Sequence, residues 1–170
     1  MPTSTSAIPG VEISHRRTFP DERGNFLELM RRSEHDLEFV QANHSFSRAG
    51  VVRGLHYHRH QHDLWYVVRG RARIGLADLR GPAPQVETFD LDERSAATLL
   101  IPPGVAHGYL ALDDLDLIYF VTRTYDPDDE HGIAWNDPLL AIDWQVENPV
   151  LSRRDQMNEP LQWPIDLSPS

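Results

Sequence analysis

Four of the nine histidines stand within seven residues, His56-Tyr57-His58-Arg59-His60-Gln61-His62, and Asp63 follows at once. In an extended chain every second side chain faces the same way, so all four imidazoles of this run would project together, and a β-barrel interior is a natural place for them to converge. Each buried imidazole needs hydrogen-bond partners, which makes such a run poor material for simple core packing. It suits acid–base chemistry, because neutral imidazole titrates near physiological pH. The competing reading is a solvated edge strand. Elsewhere Arg23 and Arg53 are local cations able to hold a diphosphate through bidentate hydrogen bonds.

The elements that must position these groups read as β-strands. Between about residues 11 and 160 the chain offers short apolar runs broken by Gly, Pro, Asp and Asn, with no heptad and no repeat. Tyr66 to Leu79 is the clearest strand: Val68, Ala72, Ile74 and Leu76 share one parity, and Arg69, Arg71 and Arg73 the other. In a second, Leu115 to Tyr125, the side chains of Leu117, Tyr119, Val121, Arg123 and Tyr125 fall on one side. Thr98 to Ile101 leads into the rigid turn Pro102-Pro103-Gly104, and Tyr109 to Leu112 resumes an apolar run. Short strands at this spacing predict a sandwich, barrel or jelly roll. Helix is expected only as a segment from Ser33 to Phe39 and a short turn capped by Ser152 through Asp155. Residues 1 to 10 and the tail after Pro160 read as flexible termini without chemistry.

Composition narrows the function classes. At 170 residues the chain is expected to be a single domain. A net charge of −10 argues against a general nucleic-acid binder, which needs clustered Lys and Arg. No apolar run approaches the roughly 20 residues that span a bilayer, and Met1 to Gly10 lacks the features of a signal peptide, so a cytoplasmic location without membrane contact is expected. The absence of cysteine removes disulfides, thiolate metal sites and cysteine nucleophiles.

Two spacings carry a resemblance. His56-x-His58 followed by Asp63 and Gly70 resembles the first motif of the cupins, with Asp in the usual Glu position, and Pro102-x-Gly104-x-x-His107 resembles the second. They imply an all-β cupin jelly roll, a double-stranded β-helix barrel with a few short helices and its site inside. On that resemblance His56, His58, Asp63 and His107 form a divalent metal cage, and a metal-dependent isomerase, lyase or oxygenase is one reading.

A wider set of blocks resembles the dTDP-4-dehydrorhamnose 3,5-epimerase family. It comprises Asp21-Glu22-Arg23-Gly24, the stretch from Phe39 to Ser45, Arg53-Gly54-Leu55-His56-Tyr57, Ile101 to Gly108, Gly132 to Pro138 and Ala141-Ile142-Asp143-Trp144. They follow the family's order from about Phe19 to about Asp155. The resemblance implies a metal-independent homodimeric cupin without a cofactor, whose partner is a small nucleotide sugar. Its reaction would be epimerisation of a dTDP-linked 4-keto-6-deoxyhexose at C3, C5 or both. It further implies His56 as base, Asp155 in Leu151 to Asp155 as the group that orients its ring, and Tyr119 as the acid on the other face. Arg23, Glu28, Gln41, Asn43, Arg53, His107 and Tyr125 fall where that family holds the nucleotide and sugar. Trp135 and Trp144 read as core.

One departure concerns charge. The resembled family carries a lysine shortly after the Gly-Leu-His block, in a Gln-x-Lys-Leu-like segment, to stabilise the oxyanion, whereas Gln61-His62-Asp63-Leu64 places a carboxylate there. A carboxylate repels an enolate. His60 or His62 as imidazolium is one replacement for the lost cation, and a divalent ion is another. A non-catalytic sugar-nucleotide-binding cupin is the third reading the departure leaves open.

Overall fold

A computed structural model describes residues 3–167. Thirteen strands follow one another: β1 (Thr3–Thr5), β2 (Glu12–His15), β3 (Thr18–Asp21), β4 (Gly24–Leu27), β5 (Gln41–Ser47), β6 (Val52–Tyr57), β7 (Asp63–Arg69), β8 (Arg71–Asp78), β9 (Gln85–Asp92), β10 (Ala97–Ile101), β11 (Val105–Ala111), β12 (Leu115–Val121) and β13 (His131–Gly132). Among the described residues, helix is confined to a 3₁₀ turn at Arg32–Glu34 and to α1 (Arg153–Gln156). The expected helix from Ser33 to Phe39 is therefore only that turn, since a single acidic first turn without an apolar stripe gives a longer helix nothing to pack.

The strands form a six-stranded sheet, β1-β2-β10-β7-β12-β5, a five-stranded sheet, β13-β6-β11-β8-β9, and the separate hairpin β3-β4. One apolar cluster draws Trp65, Val67, Leu99 and Leu117 from the first sheet and Ile74, Leu76, Val105 and Tyr109 from the second, so the main core lies between them.

The run from Tyr66 to Leu79 is two strands. Gly70, at φ +86°, turns the chain from one sheet into the other, and a Cβ there would stand 2.4 Å from the Asp114 carbonyl oxygen. The corner resets the alternation: Val67 is buried and Val68 is exposed, whereas Ala72, Ile74 and Leu76 point into the core. Val68 therefore does not share their face.

The first and last described segments are structural. Strand β1 pairs with β2 from Thr3↔Ser14 to Thr5↔Glu12, and Ile8 is a core residue. At the other end Leu161, Trp163, Ile165 and Leu167 pack on a second apolar cluster, which covers the outer face of the five-stranded sheet with Val52, Leu55, Ala77, Leu110 and Trp144. Where the sequence reads as flexible termini, described residues 3–10 and 161–167 are docked, because alternate apolar side chains let an irregular segment bury itself against a sheet. Met1, Pro2 and residues 168–170 lie outside the described residues.

Candidate active site

A cavity of about 1060 Å³ opens between the two sheets. Strand β6 contributes two inward residues three positions apart, Arg53 and His56, which simple alternation forbids. A β-bulge makes this arrangement possible. Tyr109 is opposite Arg53 and His107 is opposite His56, so two steps on β11 match three on β6. Gly54, at φ +116°, takes the extra residue where a Cβ would lie 2.8 Å from the Gly108 Cα and the His107 carbonyl oxygen. Val52, Leu55 and Tyr57 face the outer cluster, and Arg53 and His56 line the cavity.

His56 Nε2 lies 2.7 Å from Asp155 Oδ1. Asp155 is delivered from 99 residues away by α1: Ser152 caps this turn by accepting the Asp155 backbone N–H at 3.0 Å, and its hydroxyl donates to Asp155 Oδ2 at 2.8 Å. Burial alone would raise the Asp155 pKa. The hydrogen bond and charge of His56, the Ser152 hydroxyl and nearby Arg154 outweigh it and hold the carboxyl below its ordinary value. An ionised carboxylate only accepts, so Nε2 carries the hydrogen and Nδ1 of neutral His56 carries the lone pair.

Tyr119 enters from the six-stranded sheet. It lies on β12 between Asn43 of β5 and Trp65 of β7, and shares its cavity-facing parity with Leu117 and Val121. Burial first, then the charges of Asp63 and Glu130 and the Tyr109 phenol, raise its pKa against the opposing effect of Arg53. It is therefore a phenol at neutral pH.

The other expected site residues divide into two groups. Gln41, Asn43, Arg53, His107 and Tyr125 border the cavity. Gln41 Nε2 donates to Asn43 Oδ1 at 2.9 Å, Gln41 Oε1 accepts from the Tyr125 backbone N–H at 3.2 Å, and Arg53 Nε donates to Ser47 Oγ at 2.8 Å. Arg23 and Glu28 are not brought to it. Arg23 is on the exposed β3-β4 hairpin, paired with Asp21, and Glu28 just beyond β4 is paired with Arg31.

The histidine run is not one extended strand: β6 ends at Tyr57, and residues 58–62 form a loop. His56, His58 and His60 still border the cavity, whereas His62 does not. Asp129 shapes that loop. Its carboxylate accepts the backbone N–H groups of Arg59 at 2.7 Å and His60 at 3.1 Å, and its carbonyl oxygen accepts from His58 Nδ1 at 2.7 Å. Burial chiefly, helped by Arg80 and opposed by Asp63, lowers the His62 pKa, which disfavours it as a replacement cation. His58, Asp63 and His107 offer one ligand atom each within 4.8 Å of one another; His56 is outside that group, and its Nε2 is bonded to Asp155. His107 is buried at the cavity wall, and burial above all lowers its pKa to about 4, despite Asp63.

Sequence reasoning gave no role to Ser152 beyond capping, none to Asp129 and none to Glu130. A serine three before the orienting aspartate was a usable signal for the first. Nothing in the spacing marks the other two.

A family model described as dTDP-4-dehydrorhamnose 3,5-epimerase matches residues 5–162. A spore coat polysaccharide biosynthesis protein, SpsL, of Bacillus subtilis is 40% identical over 148 residues, covering 82% of this chain and 98% of its own. The crystal structure of a dTDP-4-dehydrorhamnose 3,5-epimerase from Bacillus anthracis with TDP and PPi bound superposes with a TM-score of 0.88 at 31% identity, covering 94% of this chain and 99% of that one. A dTDP-6-deoxy-D-glucose-3,5-epimerase from Legionella pneumophila in complex with dTDP-4-keto-L-rhamnose gives a TM-score of 0.87 at 32% identity, covering 94% and 92%.

Proposed function

The chain belongs to the dTDP-4-dehydrorhamnose 3,5-epimerase family, with its cupin jelly roll, and from that premise we propose that it epimerises a dTDP-linked 4-keto-6-deoxyhexose at C3, C5 or both. The observation that carries the reading is the 2.7 Å bond between His56 Nε2 and Asp155, formed in a cavity that Tyr119 also borders.

A carbon beside a ketone can invert if a base removes its proton on one face, the electron pair moves onto the keto oxygen as an enolate, and an acid returns a proton to that carbon on the other face. His56 Nδ1 takes the proton. Asp155 holds the ring in the required tautomer and stabilises the imidazolium that forms. Tyr119, held protonated by its surroundings, donates to the carbon, and solvent restores both groups afterwards. These proton steps ask for no redox cofactor. Arg53 at the cavity suits the diphosphate, and Gln41, Asn43, His107 and Tyr125 suit the sugar and nucleotide.

A homodimer is part of this reading. The β3-β4 hairpin exposes Phe19 and Phe26 at 42% and 63% and carries Arg23 away from its own cavity; a second copy is the route by which Arg23 and Glu28 reach a nucleotide. We place the enzyme in the cytoplasm, with nucleotide sugar as its small-molecule partner. Among the described residues no helix is long and apolar enough to cross a membrane.

Proton nuclear magnetic resonance in deuterium oxide with a dTDP-4-keto-6-deoxy sugar tests the reading. Deuterium should enter at C3 or C5. Folded protein that exchanges neither position in any of several nucleotide sugars would overturn it.

A further inference from the structure

The proton chemistry leaves one buried carboxylate unused. Asp63 is 4% exposed, and its oxygens accept neutral hydrogen bonds only, Oδ1 from Gln61 Nε2 at 2.8 Å and Oδ2 from Trp65 Nε1 at 3.1 Å. Among the described residues no lysine or arginine pairs with it, and His107 Nε2, 3.8 Å from Oδ2, stands beyond a hydrogen bond.

The two imidazoles beside it are acceptors as well. His107 Nδ1 donates to the Val105 carbonyl at 3.0 Å and His58 Nδ1 to the Asp129 carbonyl at 2.7 Å. A carbonyl only accepts, so in each neutral ring Nε2 is the bare nitrogen. Burial keeps the His107 ring neutral at physiological pH. Three acceptors, one of them charged, thus border the cavity within 4.8 Å of one another.

What completes such a group is a ligand that brings several hydrogens and a positive charge. A hydroxyl brings one hydrogen, a water two, and a primary ammonium three together with the charge that the buried carboxylate lacks. Size agrees. Acceptors about 2.8 Å from a tetrahedral nitrogen lie about 4.6 Å apart, close to the spacing of this cluster, in which the His107–Asp63 pair is the tighter at 3.8 Å. Position agrees too, because His107 is the cross-strand partner of His56, and a sugar ring that presents a carbon to the base brings its substituents to the neighbouring strand.

We propose that His58 Nε2, Asp63 and His107 Nε2 hold a primary ammonium group of the substrate, carried on C2 or C3, the ring carbons that bear hydroxyls in the plain sugar. The substrate class is then a dTDP-linked 4-keto-6-deoxy sugar that bears an amine. This inference rests on the epimerase reading and narrows it. Toward a sugar with hydroxyls alone, Asp63 is a charge without a partner.

Calorimetric titration with dTDP-6-deoxyhexoses that carry a 4-hydroxyl in place of the ketone tests this without turnover. A 2-amino or 3-amino compound should bind roughly 10- to 100-fold tighter than its hydroxyl counterpart, and N-acetylation should abolish the advantage. Asp63→Asn should bring amine and hydroxyl compounds to within about threefold of each other, and His58→Ala should cut the preference by about tenfold. Equal binding of amine and hydroxyl compounds by the wild type, or a preference that survives Asp63→Asn, overturns the inference and leaves the epimerase reading standing. Failure of every dTDP sugar to bind overturns both. Circular dichroism of the variants checks folding, and His58→Ala, on a half-buried loop, carries the test should Asp63→Asn fail to fold.

Discussion

His56 and His107 are cross-strand partners in one sheet, each with a buried aspartate at hand, yet the two pairs are built for different work. His56 meets Asp155 at 2.7 Å, whereas His107 stops 3.8 Å from Asp63. In the first pair the hydrogen of Nε2 lies between nitrogen and oxygen, which frees Nδ1 as a base. In the second, the hydrogen is spent on a backbone carbonyl on the far side of the ring, so lone pair faces carboxylate. The same two residue types share a proton in one pair and set a lone pair against a carboxylate in the other.

Substitutions separate the two pairs. His56→Ala removes the base, and the deuterium-exchange rate should fall by about 10³–10⁴. Asp155→Asn keeps the shape but releases the tautomer, and should lower that rate by roughly 10²–10³. Tyr119→Phe should slow inversion by about 10² while exchange at the abstracted position persists, a split read by following label and stereochemistry together. Asp63→Asn should act with the opposite sign to Asp155→Asn. Deleting a negative charge beside a forming enolate should raise kcat, by up to about tenfold. A fall like that of Asp155→Asn would break the comparison.

The smallest effects are on stability. Ser152→Ala loses the α1 cap and a bond to Asp155, and should destabilise the fold by about 1 kcal/mol in denaturant titration. Asp155 has a folded pKa below its unfolded value of about 3.9. Its contribution is therefore fully present above that value and is lost as pH falls through the lower, folded one. Denaturation of wild type against Asp155→Asn from pH 6 downward should show the two curves converging only in that acid window.

Much of the site was legible because family blocks fix residue types at a local spacing, and the fold need only bring the blocks together. His56, Tyr119 and Asp155 were expected from such blocks, and the inward parity of Tyr119 follows from alternation alone. What stayed illegible depends on broken alternation or on contacts across the fold. Gly70 hides a corner inside a run that reads as one strand, and Gly54 hides the bulge that turns Arg53 and His56 the same way. The His58 loop is shaped by Asp129, about 70 residues on, which no local pattern announces. Arg23 and Glu28 were legible as types, but their hairpin stands away from the cavity of its own chain. Flexibility was inferred for the tail from its prolines and polar residues, but Leu161, Trp163, Ile165 and Leu167 recur with the period of an extended chain and cover a sheet.

The docking of that tail sets an order in time. Arg53, His56 and Tyr119 belong to strands finished by residue 121, but the carboxylate that directs His56 is the 155th residue, and the segment that follows packs on the outer face of the same sheet. During synthesis the scaffold precedes its competence. A chain interrupted before Ser152 holds the imidazole with nothing to choose which nitrogen bears the proton.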